Sequence, residues 1–299
     1  MSRILVPVDF SLPCHNAYRF ALHLANDMNL DVVLVHYYGG SIDPRTTLYI
    51  GGDGTIQGSF EERLRQFAYS SAEGIDYPLV EPPCGVAISY ETDVSLRPSA
   101  AIIARAAKED ISMVVMATRS TTAVMSKWLG STSTTVSESC VRPVYLIPGN
   151  ASCRPFRRMI VANNDATADP YPIRELEELA KRYDAELHFV HIQAPQPDTP
   201  LRFTPWQLMN ATPSRKCHSG VITVEDTDVS RGLLEYAQDV EADLLIIINH
   251  TRSWWRAVLQ SSLTQDLALR SRLPVLVLHV TAEDVPYTVS SKYTNLRNA

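Results

Sequence analysis

The chain is written twice, and that repetition constrains its fold more than any single motif does. "RILVPVDFS" from Arg3 to Ser11 is answered by "RMIVANNDA" from Arg158 to Ala166, each a short apolar run that ends in a polar turn. "NAYRFALHLANDMNLDVVLVHYY" and "YPIRELEELAKRYDAELHFVHIQ" come next, each reading as a helix, a short turn and a strand ending near His36 or His191. Phe20, Leu24 and Met28, and likewise Leu176, Leu179 and Tyr183, fall at helical spacing, so each helix has one face to bury. Later, "SAAIIARAAKEDISMVVMATRS" matches "SRGLLEYAQDVEADLLIIINHTRS". Both halves close with a further helix and a strand introduced by proline, "RPVYLIP" and "LPVLVLH", where a first strand residue tolerates the missing N–H.

Strands alternating with helices imply parallel βαβ units with right-handed crossovers and helices on both faces of a sheet. Continuous apolar runs at Met113 to Met116 and Leu244 to Ile248 suit strands buried on both sides. A chain of 299 residues exceeds most single cores. The expected organisation is therefore two tandem α/β domains, 1–150 and 156–280, divided at "PGNASCRP" and followed by a tail, 281–299. Each half carries an irregular insert after its second strand. The first, "GGSIDPRTTLYIGGDGTIQGS", is rich in glycine and leads into a helix over "FEERLRQFAYSSAEG"; the second, "APQPDTPLRFTPWQLMNATPSRKCHSG", is rich in proline.

A formal net charge of -6 argues against a nucleic-acid partner, whose phosphates require a basic surface. Five cysteines without a CxxC spacing read as reduced thiols. The N-terminus lacks the pattern of a signal peptide and no apolar segment approaches the roughly 20 residues that span a bilayer, so a cytoplasmic protein with no membrane partner is expected. There is no GxSxG elbow, HExxH pair or Walker-type loop, and no catalytic residue is assigned. His188 and His191, three apart on a strand, project to opposite faces, and Cys217-His218 stands isolated in the second insert. No metal site is expected.

These repeats resemble two tandem universal stress protein domains, over nearly the whole chain apart from the inserts and the tail. In that family the first strand is similar to "ILVPVDFS", and the fourth runs into a loop of glycine, two residues, glycine, nine residues, glycine and Ser or Thr. Here the first half reads Ala117-Thr118-Arg119-Ser120, nine residues, then Gly130-Ser131. The spacing is intact and both leading glycines are replaced. The resemblance implies, for each half, a doubly wound, Rossmann-like, five-stranded parallel sheet of the adenine nucleotide-binding type. It also implies ATP or AMP, with Mg, across the carboxyl ends of the strands, where open α/β sheets bind ligands. By the same resemblance Asp9 and Tyr37 flank the adenosine, and loop amides at Ala117, Ser120, Gly130 and Ser131 hold phosphates. Pro7 and Thr132 complete the candidate cofactor-binding set.

Physical chemistry weighs on both sides of that implication. A helix starting near Gly130 in "GSTSTTVSESC" offers unpaired N–H groups and hydroxyls at a positive helix end. Asp9 can accept from a ribose hydroxyl or an adenine amine. Against this, if Ala117 and Ser120 must both be left-handed they cost roughly 2–4 kcal/mol, or one to three powers of ten at about 1.4 kcal/mol each. If the glycines only left room, the cost is much smaller. Tyr37 either stacks on the base, fills its pocket, or is simply a tyrosine at the core edge. The hydroxyl run reads as helix capping, with phosphorylation as the other reading.

In the second half Asn164 takes the Asp9 position, and the loop reads Ile248-Asn249-His250-Thr251 and then Ser261-Ser262, with all three glycines gone. No ATP is expected there; Trp254 and Trp255 build an interface or pack at the sheet rim. Three readings of function result. The first is a regulatory stress protein whose first half holds nucleotide weakly without efficient turnover, its halves paired about a pseudo-two-fold axis through their fifth strands, with homodimerisation beyond that. The second is a nucleotide-free module for protein–protein interaction, its client unknown. The third is a slow ATPase.

Overall fold

Branched apolar runs place the strands, and amphipathic segments between them supply the covering helices. The computed structural model describes residues 2–39, 41–42, 49–50, 54–69, 82–118, 131–163, 173–193, 217–249 and 273–279. In the first half these form β1 (Arg3–Pro7), α1 (Leu12–Met28), β2 (Asp31–Tyr38), the two-residue strands β3 (Ser41–Ile42) and β4 (Tyr49–Ile50), and α2 (Gly54–Tyr69). Then come β5 (Ile88–Val94), α3 (Pro98–Ala106), β6 (Ile111–Ala117), α4 (Ser131–Ser139) and β7 (Val144–Ile147). The second half gives β8 (Arg158–Asn163), α5 (Ile173–Tyr183), β9 (Glu186–Gln193), β10 (Cys217–Glu225), α6 (Val229–Asp239), β11 (Leu244–Asn249) and β12 (Val275–His279).

Two of these bounds correct the sequence reading. The helix expected from Phe60 begins earlier, at Gly54, and its described part ends at Tyr69. Packing of Leu64, Phe67 and Ala68 into the core overrides the weak helix propensity of the glycine-rich stretch before them. Cys217 and His218 open β10 rather than lying in an irregular insert, because Cys217 pairs with Leu187 of β9.

Ten of the strands form one sheet in the order β10-β9-β8-β11-β12-β7-β6-β1-β2-β5. Within each half every pairing in this sheet is parallel, while β3 and β4 form a separate antiparallel pair. The halves join where β12 runs antiparallel to β7, with Val275 opposite Leu146, Leu276 opposite Tyr145 and Val277 opposite Val144. Strand order on one side of this seam is the reverse of that on the other, as a local two-fold axis requires.

Alternation along the strands sends neighbours to opposite faces, so the sheet separates two cores that each draw on both halves. Ile4, Val6 and Leu34 share one with Val161 and Ile246, beneath α1, α2 and α5. Leu5, Val33 and Val114 share the other with Ile160 and Ile247, beneath α3, α4 and α6. Phe20 and Leu24 of α1 are buried and Met28 packs beside them, as the helical spacing predicts. Asn29, left-handed at φ 54°, closes that helix.

Between β7 and β8 the chain is held down closely. Buried Asn16 donates from Nδ2 to the carbonyls of Pro148 and Ala151, both at 2.9 Å. Phe156 is buried between Phe20 and Tyr183, and Arg182 of α5 donates to the carbonyl of Asp27 in α1 at 3.0 Å. No described helix is long and apolar enough to cross a membrane. Among described residues Cys14, Cys84, Cys140 and Cys153 are free thiols.

One buried cation ties three elements together toward the amino end of the β1–β6 pair. Arg105 of α3, 7% exposed, donates to both carboxylate oxygens of Glu91 at 2.7 and 2.9 Å and to those of Asp110 at 3.0 and 2.9 Å. Arg3 also pairs with Asp110. Hydrogen bonding to Arg105 is the main cause that holds Glu91 below its usual pKa and Asp110 at about 2. An acid with a depressed folded pKa stabilises the fold above its unfolded value and loses that contribution as pH falls through the folded one. Stability should therefore hold from neutral pH down to the ordinary Glu value of 4.5, where the Glu91 contribution starts to fall, and decline through the ordinary Asp value of 3.8 toward about 2. Arg105→Leu should cost about 2–4 kcal/mol in chemical denaturation near neutral pH, less than the roughly 3–5 of a fully buried broken pair because both acids are partly solvated. The variant should also lose the acid plateau.

Candidate functional site

In the first half β1 is flanked by β2 on one side and β6 on the other, so the connections leaving it diverge and open a crevice at the strands' carboxyl ends. A cavity of about 560 Å³ lies there, within the range of small-molecule sites. Its walls come from the ends of β1, β2 and β6 and from the starts of α1, α3 and α4. Pro7, Asp9, Tyr37, Ala117, Ser131 and Thr132 all line it, so residues from four separate stretches of the sequence meet at one place. Ser120 and Gly130 lie outside the described residues, as do Asn164, His250, Thr251, Trp254, Trp255, Ser261 and Ser262 of the second half.

Asp9 is presented by a tight turn. Ser11 donates its N–H to Asp9 Oδ1 at 2.9 Å, and Cys14, in the first turn of α1, donates its thiol to the same oxygen at 2.9 Å. Desolvation pushes the carboxyl's pKa up, and the bonds from Cys14 and Ser11 outweigh it, leaving Asp9 below its ordinary value and ionised. The acid stands exposed at the cavity rim, in keeping with the dominance of those bonds. An ionised carboxylate has about four acceptor positions, so it retains capacity for a ligand donor. Cys14 is affected in the opposite sense: burial first, then the neighbouring charge of Asp9, push its thiol up to about 12. It is a hydrogen-bond donor rather than a nucleophile.

Between Asp9 and Ser11, Phe10 holds a left-handed backbone at φ 63°, a conformation that costs an L-residue roughly 1–2 kcal/mol. Its ring lies 4.7 Å from that of His36 and 5.9 Å from that of Phe67, with the Arg63 guanidinium 4.2 Å above it. These contacts, two of them from α2, offset the strain. His36 donates from Nδ1 to the carbonyl of Val8 at 2.8 Å. Burial holds its pKa below the usual histidine value, so the ring is neutral near physiological pH.

Tyr37 faces the opposite side of β2 from His36, donating to the carbonyl of Ala101 at 3.4 Å. Burial, then Glu91, push its phenol up to about 12. Across the cavity, the first N–H groups of α4 have no acceptor within the helix and carry its positive end. Ser133 donates to the carbonyl of Ala117 at 3.1 Å, and Thr118 donates its N–H to Ile147 at 2.9 Å. Ala117 is thus a strand residue, and it is absent from the described positions with positive φ.

Sequence reasoning missed Cys14 and Ser133 as wall residues and read His36 as packing alone, whereas it packs and lines the cavity. The usable signal for Cys14 was its place five residues after Asp9, in the first helical turn. His188 faces α6, with Nδ1 2.8 Å from the Tyr236 hydroxyl. No group of acids, histidines and cysteines suited to a metal occurs among the described residues.

The universal stress protein family model matches residues 1–148 and again 155–279. The chain belongs to the universal stress protein family. A solved universal stress protein from Archaeoglobus fulgidus DSM 4304 shares the fold at 19% identity, over 94% of this chain and 97% of its own, with a TM-score of 0.61. A functionally unknown protein from Pseudomonas aeruginosa PAO1 aligns at 14% identity over 93% of this chain and 92% of its own, with a TM-score of 0.51. A universal stress protein solved in complex with cAMP matches 50% of this chain and 98% of its own at 15% identity, with a TM-score of 0.33. No curated protein matches the sequence.

The opposed protonation of Asp9 and Cys14 in this universal stress protein can be checked with a thiol reagent. Exposed Cys84 should react first near neutral pH, and Cys14 should label only on unfolding or in strong alkali. Early modification of Cys14 would contradict the assigned hydrogen bond.

Proposed function

We propose that the first-half cavity binds an adenine nucleotide, ATP or AMP, weakly and without efficient turnover, and that occupancy rather than hydrolysis is the signal. The observation that carries this is one cavity uniting three kinds of wall. Val35, Ile102 and Met116 give an apolar surface for a base; ionised Asp9 gives an acceptor for ribose hydroxyls; the start of α4, with Ser131 and Thr132, gives donors for phosphate. The described lining holds no lysine or arginine to stabilise charge on a phosphate under attack, and Asp9, held on one oxygen by Ser11 and Cys14, keeps its other oxygen for a ribose hydroxyl, so turnover is expected to be slow.

A second reading, an interaction module without nucleotide, draws on Leu12 at the start of α1 and Leu96 in the connection after β5, which are 51% and 70% exposed. Calorimetric titration of ATP and of AMP, each with magnesium, separates the two. Micromolar binding is expected. Asp9→Ala should weaken it about tenfold, the equivalent of one hydrogen bond near 1.4 kcal/mol, and Thr132→Trp should abolish it by filling the space before α4. Absence of heat up to millimolar nucleotide would overturn the proposal in favour of the interaction module. Accumulation of ADP over hours would replace it with a slow ATPase.

A further inference from the structure

The buried face of α4 carries a run of hydrogen bonds that begins in the second repeat and ends on the cavity wall. His279, the last residue of β12, donates from Nε2 to the carbonyl of Ser137 at 2.9 Å. That carbonyl belongs to the last helical turn, where no intrahelical donor is available. Ser137 is fully buried and donates its hydroxyl back to the carbonyl of Ser133 at 2.7 Å, with that of Thr134 at 3.0 Å. One turn earlier, Ser133 donates its own hydroxyl to the carbonyl of Ala117 at 3.1 Å, and both residues line the cavity. Every acceptor in the series is a main-chain carbonyl, so each bond fixes backbone rather than a side chain.

Composition explains why such bonds matter to this helix. Val136 is the one large apolar side chain in "STSTTVSES", so burial supplies little to hold it. Nine residues make a helix far too short to persist alone. Serine back-bonds to the preceding turn are neutral or weakly unfavourable within a helix, so Ser137 and Ser133 act as tethers only if both ends are anchored. His279 is the anchor at one end and β6 at the other.

We propose that His279 is a positioning residue for the first repeat's cavity, setting the helix end that faces the ligand through Ser137 and Ser133, so that the second repeat tunes a site that none of its described residues lines. The ligand part rests on the nucleotide reading above; the mechanical part stands without it. Three variants of the full chain test it. His279→Ala removes the donor, His279→Gln restores an N–H, and Leu278→Ala weakens β12 without touching the bond. In nucleotide-free protein, hydrogen exchange should accelerate in His279→Ala at the amides of Thr135 and Val136, whose acceptors lie in the first turn of α4. It should recover in His279→Gln and stay at the parent rate in Leu278→Ala. AMP affinity should fall roughly five- to tenfold in His279→Ala, the lower part of the range for coupled sites, and recover in His279→Gln. Adding Ser133→Ala to His279→Ala should then weaken it less than Ser133→Ala does alone. Exchange changes confined to β12 and the last turn of α4, or equal effects from Leu278→Ala, would overturn the inference. Should AMP fail to bind the parent, the nucleotide reading falls and the exchange data alone decide the tether.

Discussion

Everything beyond a single repeat depends on the antiparallel pairing of β7 with β12. Each half leaves its fifth strand with one unpaired edge, and such an edge exposes a row of N–H and C=O groups as well as the side chains beside it. Val144, Tyr145, Leu146 and Ile147 are all buried, and Val275, Leu276 and Val277 across the seam are as well. Covering residues of this size contributes about 1.5–3 kcal/mol each. Because equivalent strands meet antiparallel, a two-fold relation follows, and with it the other contacts between repeats: Arg182 reaches α1, Phe156 sits beneath both halves, and His279 meets α4. The two hydrophobic cores cross the seam, so the repeats are joined through the sheet and on both of its faces.

The cavity inherits its location from strand order and its details from strain. Divergence of chain direction around β1 leaves room at the carboxyl ends, and nothing about that requires a special residue. Aiming a carboxylate into the room does. The left-handed Phe10 turns the chain sharply after Asp9, allowing Ser11 and Cys14 to reach back to one oxygen. Phe67 and Arg63 of α2 hold the Phe10 ring from one side and His36 from another. A helix arising from the glycine-rich insert thereby supports the turn that orients the acid.

What the sequence made legible was what depends on local pattern. The repeat predicted the parallel sheets and the helical spacing predicted the buried faces of α1 and α5; Asp9, Tyr37, Ala117, Ser131 and Thr132, named as candidate nucleotide contacts, lie around one cavity, and their contact with a nucleotide belongs to the proposal. What stayed hidden depends on tertiary geometry. Cys14 gains meaning only through the positive φ of Phe10, which no propensity assigns to phenylalanine. Ser133 and Ser137 looked like capping residues because serine caps helices well, yet their hydroxyls turn inward to carbonyls. The early start of α2 at Gly54 likewise follows from rings and aliphatic groups meeting the sheet farther along the helix.

The replaced glycines now carry unequal weight. A left-handed requirement at both Ala117 and Ser120 would set affinity back by roughly 2–4 kcal/mol. The structure removes the first of these. β6 pairs with β7 through Ala117 opposite Ile147, Thr118 extends the bonding by one residue, and Ser133 holds the Ala117 carbonyl. An extended residue gains nothing from being glycine beyond the space of a methyl group, and that methyl group here faces a cavity of about 560 Å³. The left-handed cost at Ala117, about 1–2 kcal/mol, therefore drops out of that sum. A cavity wall built this way depends less on which small residue ends β6 than on how firmly α4 is held, since Ser133 of that helix fixes the Ala117 carbonyl.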